Sequence, residues 1–184
     1  MKSFFKEAVS TIKTTGTIKP ASKFLIKDCL KDFDFSEKRV ILEFGPGNGC
    51  FTSVLADRLN AESLLYSFEI NDKFYQFCQR KFADRPNVHV LKISAFDFVR
   101  VLKENDIEQA DYIVSSLPLA LLKKEDIAVL LENVRKYLKP GGSFVQYQYS
   151  LGNYRKMKKN FEEVNLGLTV RNIPPAFIYR CYGE

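Results

Sequence analysis

A chain of 184 residues, 46% hydrophobic and 14% aromatic, supplies one domain with an ample core and leaves no room for a second large one. No apolar run approaches the roughly 20 residues that cross a bilayer. Lys6, Glu7, Ser10 and Lys13 interrupt the first apolar residues, so neither a membrane span nor a signal peptide is expected and the expected location is the cytoplasm.

Four cysteines without paired spacing, Cys29, Cys50, Cys78 and Cys181, and the single His89 point to reduced thiols and to chemistry without a metal. The net charge of +6 is unevenly placed. Residues 1–27 hold Lys2, Lys6, Lys13, Lys19, Lys23 and Lys27 against Glu7 alone, and Arg155, Lys156, Lys158 and Lys159 make a second basic group. Such patches favour an anionic partner, nucleic acid or an acidic membrane surface, although a merely solvated face has the same composition.

In chain order, Phe4, Phe5, Ala8, Val9 and Ile12 recur at helical spacing over residues 2–13, with Lys2, Lys6 and Lys13 elsewhere on the wheel. A basic amphipathic helix of about three turns needs a surface to lie on, its own domain or a lipid headgroup layer. Residues 14–17 break it, Ser22 caps a second helix over residues 23–31, and residues 32–38 form a polar linker. Strands are then expected at residues 40–44, 64–70, 88–93, 112–114 and 143–149, and helices at 51–59, 71–82, 96–103 and 124–138, the last ended by Pro140-Gly141-Gly142. His89 falls at a partly exposed position of the third strand. That alternation implies a parallel sheet covered by helices on both faces. Residues 166–171 and 177–182 read as two further strands whose connection is too short for a helical crossover, so they form an antiparallel hairpin.

The most informative stretch is Glu43-Phe44-Gly45-Pro46-Gly47-Asn48-Gly49, between the first strand and the helix that follows it. In an open α/β sheet ligands bind beyond the carboxyl ends of the strands, where strand order reverses. A dinucleotide fingerprint needs a small residue where Cys50 stands, and no phosphate-loop lysine is present. Glu43 is a poor neighbour for a pyrophosphate and a good one for a cationic ligand. Glu69, at the end of the second strand, can accept from both ribose hydroxyls, and Ser94-Ala95-Phe96 is placed to flank an adenine. An adenosine ligand carrying an ammonium and a sulfonium but no phosphate is S-adenosylmethionine.

With these features the chain resembles the class I, Rossmann-like S-adenosylmethionine-dependent methyltransferases. The resemblance is carried by residues 43–49, Glu69-Ile70-Asn71, Ser115-Ser116-Leu117-Pro118-Leu119 and Leu138-Lys139-Pro140-Gly141-Gly142. It implies a mostly parallel seven-stranded sheet ending in an antiparallel hairpin, a methyltransferase domain over residues 36–184, and N-terminal amphipathic and capping helices over residues 1–35. The implied cofactor contacts are Glu43, Phe44, Gly45, Pro46, Gly47, Gly49, Glu69, Ile70, Ser94, Ala95, Phe96 and Ser115.

Within that superfamily the chain is similar to bacterial phospholipid N-methyltransferases, which methylate phosphatidylethanolamine. Residues 16–22, 115–119, 144–149 and Arg171-Asn172-Ile173-Pro174-Pro175-Ala176 carry this likeness. It implies a phospholipid substrate at an anionic membrane surface and peripheral membrane association, with the acceptor amine placed by Ser116, Leu117 and Pro118. Pro118 is expected to keep the chain extended so that carbonyls of this stretch receive the acceptor N–H. Tyr147 and Tyr149, with Tyr154 and Tyr179, are candidates to hold the methylated ammonium by cation–π contact, at roughly 0.5–2 kcal/mol each; packing in the core or the hairpin is the alternative fate of each ring.

The alternative acceptor is ribosomal RNA adenine, since residues 22–28 resemble the segment before the first strand of those dimethylases. Against it, Ser116-Leu117-Pro118-Leu119 lacks both the polar residue and the aromatic ring of their N-L-P-[YF] motif. A small-molecule amine, a protein side chain, and a cofactor-binding protein without activity are the remaining readings.

Overall fold

The computed structural model describes residues 20–183; the expected basic helix at residues 2–13 and the break at residues 14–17 lie outside them. The chain runs α1 (Lys23–Cys29), β1 (Val40–Phe44), α2 (Cys50–Arg58), β2 (Leu64–Phe68), α3 (Asp72–Lys81), β3 (Val88–Leu91), α4 (Phe98–Glu104), β4 (Ala110–Ser115), α5 (Lys124–Tyr137), β5 (Leu138–Gln148), α6 (Tyr154–Asn160), β6 (Val164–Thr169) and β7 (Ala176–Tyr182). The expected strands and helices of this region are present with ends displaced by a few residues, and α6 forms in the second basic stretch.

Local chemistry sets the element starts. Ser22 Oγ accepts from Leu25 N–H at 3.1 Å and opens α1. Asn71 Oδ1 accepts from Lys73 N–H at 3.0 Å and Phe74 N–H at 3.3 Å and opens α3. Ser94 accepts from Phe96 N–H and starts a 3₁₀ turn, Ala95–Asp97, ahead of α4, so the single helix expected over residues 96–103 is divided.

Seven strands form one sheet in the order β3-β2-β1-β4-β5-β7-β6. β3, β2, β1, β4 and β5 are parallel neighbours, and β7 runs antiparallel to both β5 and β6. The chain winds outward from β1 to β3 and returns to β4 on the other side of β1, which puts the reversal of strand order at the carboxyl end of β1. One face is covered by α1, α2 and α3 through Leu25, Phe51, Leu55 and Cys78. The other is covered by α4, α5 and α6 through Phe98, Leu102, Leu131 and Met157.

The helix before Pro140-Gly141-Gly142 stops within a residue of the expected end, but the triplet itself is part of a strand. α5 ends at Tyr137 and passes directly into β5, and these residues form a bulge inside that strand. Ala110 pairs with Leu138 while Tyr112 pairs with Ser143, so the extra residues loop out between two ladder positions. Gly142 is required there because a Cβ would collide with the Asp111 and Lys139 carbonyls.

Residues 32–38 are also more than a linker. The Phe33 ring stacks on Tyr112 at 4.2 Å, and Asp34 N–H donates to the Tyr112 hydroxyl at 3.0 Å. Four free cysteines are present, three of them buried. His89 is half-buried on β3 and stacks on Tyr66 at 4.8 Å.

Candidate functional site

The carboxyl ends of β1, β2 and β4 bring the glycine loop, Glu69 and Ser115 together. Gly45, Gly47 and Gly49 all have positive φ, at 78°, 54° and 73°, backbone that side-chain-bearing residues rarely adopt. Their surroundings differ. A Cβ on Gly45 would lie 2.8 Å from Ser116 Oγ, and one on Gly49 would lie 3.1 Å from Cys78 Sγ and the Phe82 ring. Among the described residues a Cβ on Gly47 would meet nothing within 4 Å, so none of them fills the space over the centre of the loop. α2 follows with no side chain of the described residues capping its first amides.

Glu43 is buried beneath this loop. Its Oε2 accepts from Thr52 Oγ1 at 2.8 Å and from Ser67 Oγ at 2.6 Å, while its buried Oε1 has no partner among the described residues. Burial pushes its carboxyl up to about 7, against the two hydroxyl hydrogen bonds and with the help of nearby Glu69. A buried carboxylate satisfied on one oxygen only is suited to a cation at the other. Glu69 is also buried and holds the loop directly: Gly47 N–H donates to Oε2 at 3.0 Å, and Asn71 N–H donates to Oε1 at 2.8 Å. Burial raises its carboxyl, and those two amides with that of Ile70 oppose the shift.

Not every expected cofactor residue presents its side chain. The Phe44 ring is in the core against Phe68 and Phe98, and only its carbonyl reaches the site, accepting from Ser116 N–H at 2.9 Å. Pro46 and Ala95 are buried, Ile70 is half-buried just past β2, Phe96 is half-buried in the 3₁₀ turn after β3, and Ser94 is engaged as a cap. The Ser115 hydroxyl accepts from Leu117 N–H at 3.3 Å.

The acceptor side differs more from expectation. Pro118 has φ −76° and ψ 73°, and Leu119 N–H donates to the Leu117 carbonyl at 2.8 Å. The chain therefore makes an inverse γ-turn at Pro118 and is not extended there. The Leu117 carbonyl also accepts from Gln146 Nε2 at 3.2 Å, and the Pro118 carbonyl accepts from Leu121 N–H at 2.9 Å. These carbonyls are thus already engaged. Ser116 Oγ donates to the Gly45 carbonyl and so ties the β4 loop to the glycine loop.

Among the tyrosines, Tyr147 stacks on Phe51 at 5.7 Å and meets Tyr149 edge to face at 6.3 Å. Burial raises its hydroxyl, which hydrogen-bonds the Ser116 side chain. Tyr179 is a core residue: it is fully buried, stacked on Tyr154, and donates from its hydroxyl to the Ser150 carbonyl at 2.8 Å. Thr52 and Ser67, which hydrogen-bond Glu43, and Gln146, which hydrogen-bonds the Leu117 carbonyl, join the candidate site without having been expected there. Ser67 alone had a signal, because it lies two residues before Glu69 on the same face of β2.

Comparison with known proteins agrees with this geometry. A family model described as a methyltransferase domain matches residues 41–142. The ornithine lipid N-methyltransferase of Singulisphaera acidiphila is 31% identical over 181 residues, covering 98% of this chain and 92% of that protein. The ribosomal RNA small subunit methyltransferase A of Borreliella burgdorferi is 32% identical over 107 residues, 58% of this chain and 36% of its own length. In fold, the precorrin-6y C5,15-methyltransferase of Geobacter metallireducens superposes with a TM-score of 0.69 over 92% of this chain and 94% of its own, at 16% identity.

Proposed function

Because the chain belongs to the class I S-adenosylmethionine-dependent methyltransferases, we propose that it is a lipid N-methyltransferase acting on the amine of a phospholipid head group, with phosphatidylethanolamine the first acceptor to test. The observation that carries this reading is coverage. The likeness to a lipid N-methyltransferase extends over 98% of this chain, including β6 and β7, whereas that to the ribosomal RNA enzyme stops at 58%.

When bound, S-adenosylmethionine supplies an electrophilic methyl group on a sulfonium. Glu43 Oε1 fits the ammonium of its methionine part, the space over Gly47 fits the cofactor itself, and Glu69 has lone pairs left for the ribose hydroxyls. Ile70 and Ser94-Ala95-Phe96 would border its adenine. Transfer is an in-line displacement, so the protein's work is alignment of an unprotonated amine and exclusion of water. With the Leu117 and Pro118 carbonyls engaged, that alignment rests on the main chain at Ser115 and Ser116 and on the Tyr147–Tyr149 wall, whose ring faces favour the increasingly methylated ammonium.

The test is a labelled-methyl transfer assay that offers, side by side, phosphatidylethanolamine vesicles, ornithine lipid vesicles and undermethylated small ribosomal subunits. Label is expected in lipid. Label in RNA alone overturns the assignment in favour of the ribosomal reading.

A further inference from the structure

The half of the sheet's carboxyl edge formed by β4, β5, β7 and β6 carries four neighbouring segments: residues 20–24, 116–124, 149–155 and 170–175. They are tied into one rim. Ser22 N–H donates to Asn172 Oδ1 at 3.0 Å, and the Arg171 guanidinium sits 5.1 Å over the Phe24 ring. The Tyr179 hydroxyl on β7 holds the Ser150 carbonyl, and Gln146 on β5 holds the Leu117 carbonyl.

Of the ten exposed large apolar side chains among the described residues, six lie in this rim: Ile173 at 73% exposure, Val170 at 69%, Leu121 and Tyr149 at 50%, Leu151 at 46% and Phe24 at 37%. Leu166 and Leu168 continue the apolar stripe along β6. The same four segments contain Lys23, Lys123, Lys124, Arg155 and Arg171 and no carboxylate, the first acidic residues beyond them being Glu125 and Asp126 in the first turn of α5. The opposite edge, where the parallel strands begin, collects Asp34, Glu37, Glu62, Asp84, Asp106, Glu108, Glu162 and Glu163 against Lys38, Arg39, Arg85 and Lys139, with Asp34 paired to Arg39, and so carries an excess of carboxylates.

We propose that this apolar, cationic rim is the surface by which the protein seats on an anionic lipid membrane, with the methyl-transfer site turned toward the head groups. Aliphatic tips at the mouth of the site enter the headgroup–acyl boundary, which nucleic acid cannot reward. Each flanking cation adds attraction to an anionic surface. The carboxylates of the far edge are repelled, so the polarised charge orients the molecule before contact. The proposal rests on the lipid-acceptor reading for its purpose but makes a separate claim about binding.

The experiment is co-sedimentation of the full chain with phosphatidylglycerol–phosphatidylcholine vesicles, which offer no methylatable amine. A Val170→Asp/Ile173→Asp double variant is expected to bind at least about tenfold more weakly, and Lys123→Glu/Arg171→Glu to lose as much on the anionic vesicles. Val129→Asp, at an exposed apolar position of α5 outside the rim, binds as wild type. Cooperative melting identifies folded variants; should the aspartate pair fail it, the charge-reversal pair decides. Wild-type binding by the folded rim variants, or an equal loss in Val129→Asp, overturns the proposal. Methyl transfer to phosphatidylethanolamine in detergent micelles is read separately. Rim-dependent vesicle binding without lipid methylation overturns only the acceptor reading, whereas lipid methylation with rim-independent binding overturns only the docking surface.

Discussion

Gly47 and Glu43 show how single residues divide structural from ligand requirements. Gly45 and Gly49 are held to glycine by neighbours already present, whereas Gly47, at φ 54°, has no described residue within 4 Å of a Cβ. Gly47→Val should cost the ligand-free fold only about 1–2 kcal/mol for the backbone conformation, yet weaken S-adenosylmethionine binding more than about a hundredfold by filling that space. Calorimetric titration beside thermal melting checks both; retained affinity would show that the cofactor lies elsewhere. Glu43 predicts a pH dependence. Its carboxyl, raised from 4.5 to about 7, keeps its proton in the fold where the unfolded chain has lost it, so ligand-free stability falls as pH rises through that window. A bound ammonium favours the carboxylate, so cofactor affinity should climb from about pH 5 to about pH 7 and then level. Glu43→Gln should bind about tenfold or more weakly with a flat profile, and a flat wild-type profile would refute the pairing.

At the scale of elements, periodicity and cap chemistry placed the strands and helices, because Ser22 and Asn71 act on amides two or three residues away. Pro140-Gly141-Gly142 reads locally as a helix stop, and α5 does end at Tyr137, but that chemistry does not show that pairing with β4 draws the triplet into β5 as a bulge. What makes Gly142 necessary is Asp111, 31 residues earlier in the chain. Gly142→Ala should destabilise the fold by about 2 kcal/mol or more, lowering the melting temperature by roughly 4–8 °C. Gly141→Ala, at φ 73° with no neighbour within 4 Å, should cost about 1 kcal/mol. Equal effects of the two would remove the β4 collision as the reason for the bulge. Pro118 was misread in the same way: the γ-turn there is fixed by Gln146 and Leu119 at the Leu117 carbonyl.

For the molecule as a whole, charge is distributed by edge of the sheet, which no linear count reveals. Lysines and arginines at positions as distant as 23, 123 and 171 come to one rim because strand order and hairpin direction bring their loops together. Vesicle association through that rim should therefore weaken steeply as salt shortens the screening length to about 8 Å near physiological strength; association indifferent to salt would leave only the apolar contribution. The sequence by itself determined the α/β alternation, the glycine loop with Glu43 and Glu69, and hence the cofactor, because these depend on backbone preferences and chemistry within one strand–turn–helix unit. Only the tertiary structure decided that Ser67 and Thr52 satisfy one oxygen of Glu43 and leave the other without a partner among the described residues, that Tyr179 is core while Tyr147 packs between Phe51 and Tyr149, and that the rim exists. Each of these depends on which faces and loops meet across the sheet, a long-range outcome of packing that local patterning does not encode.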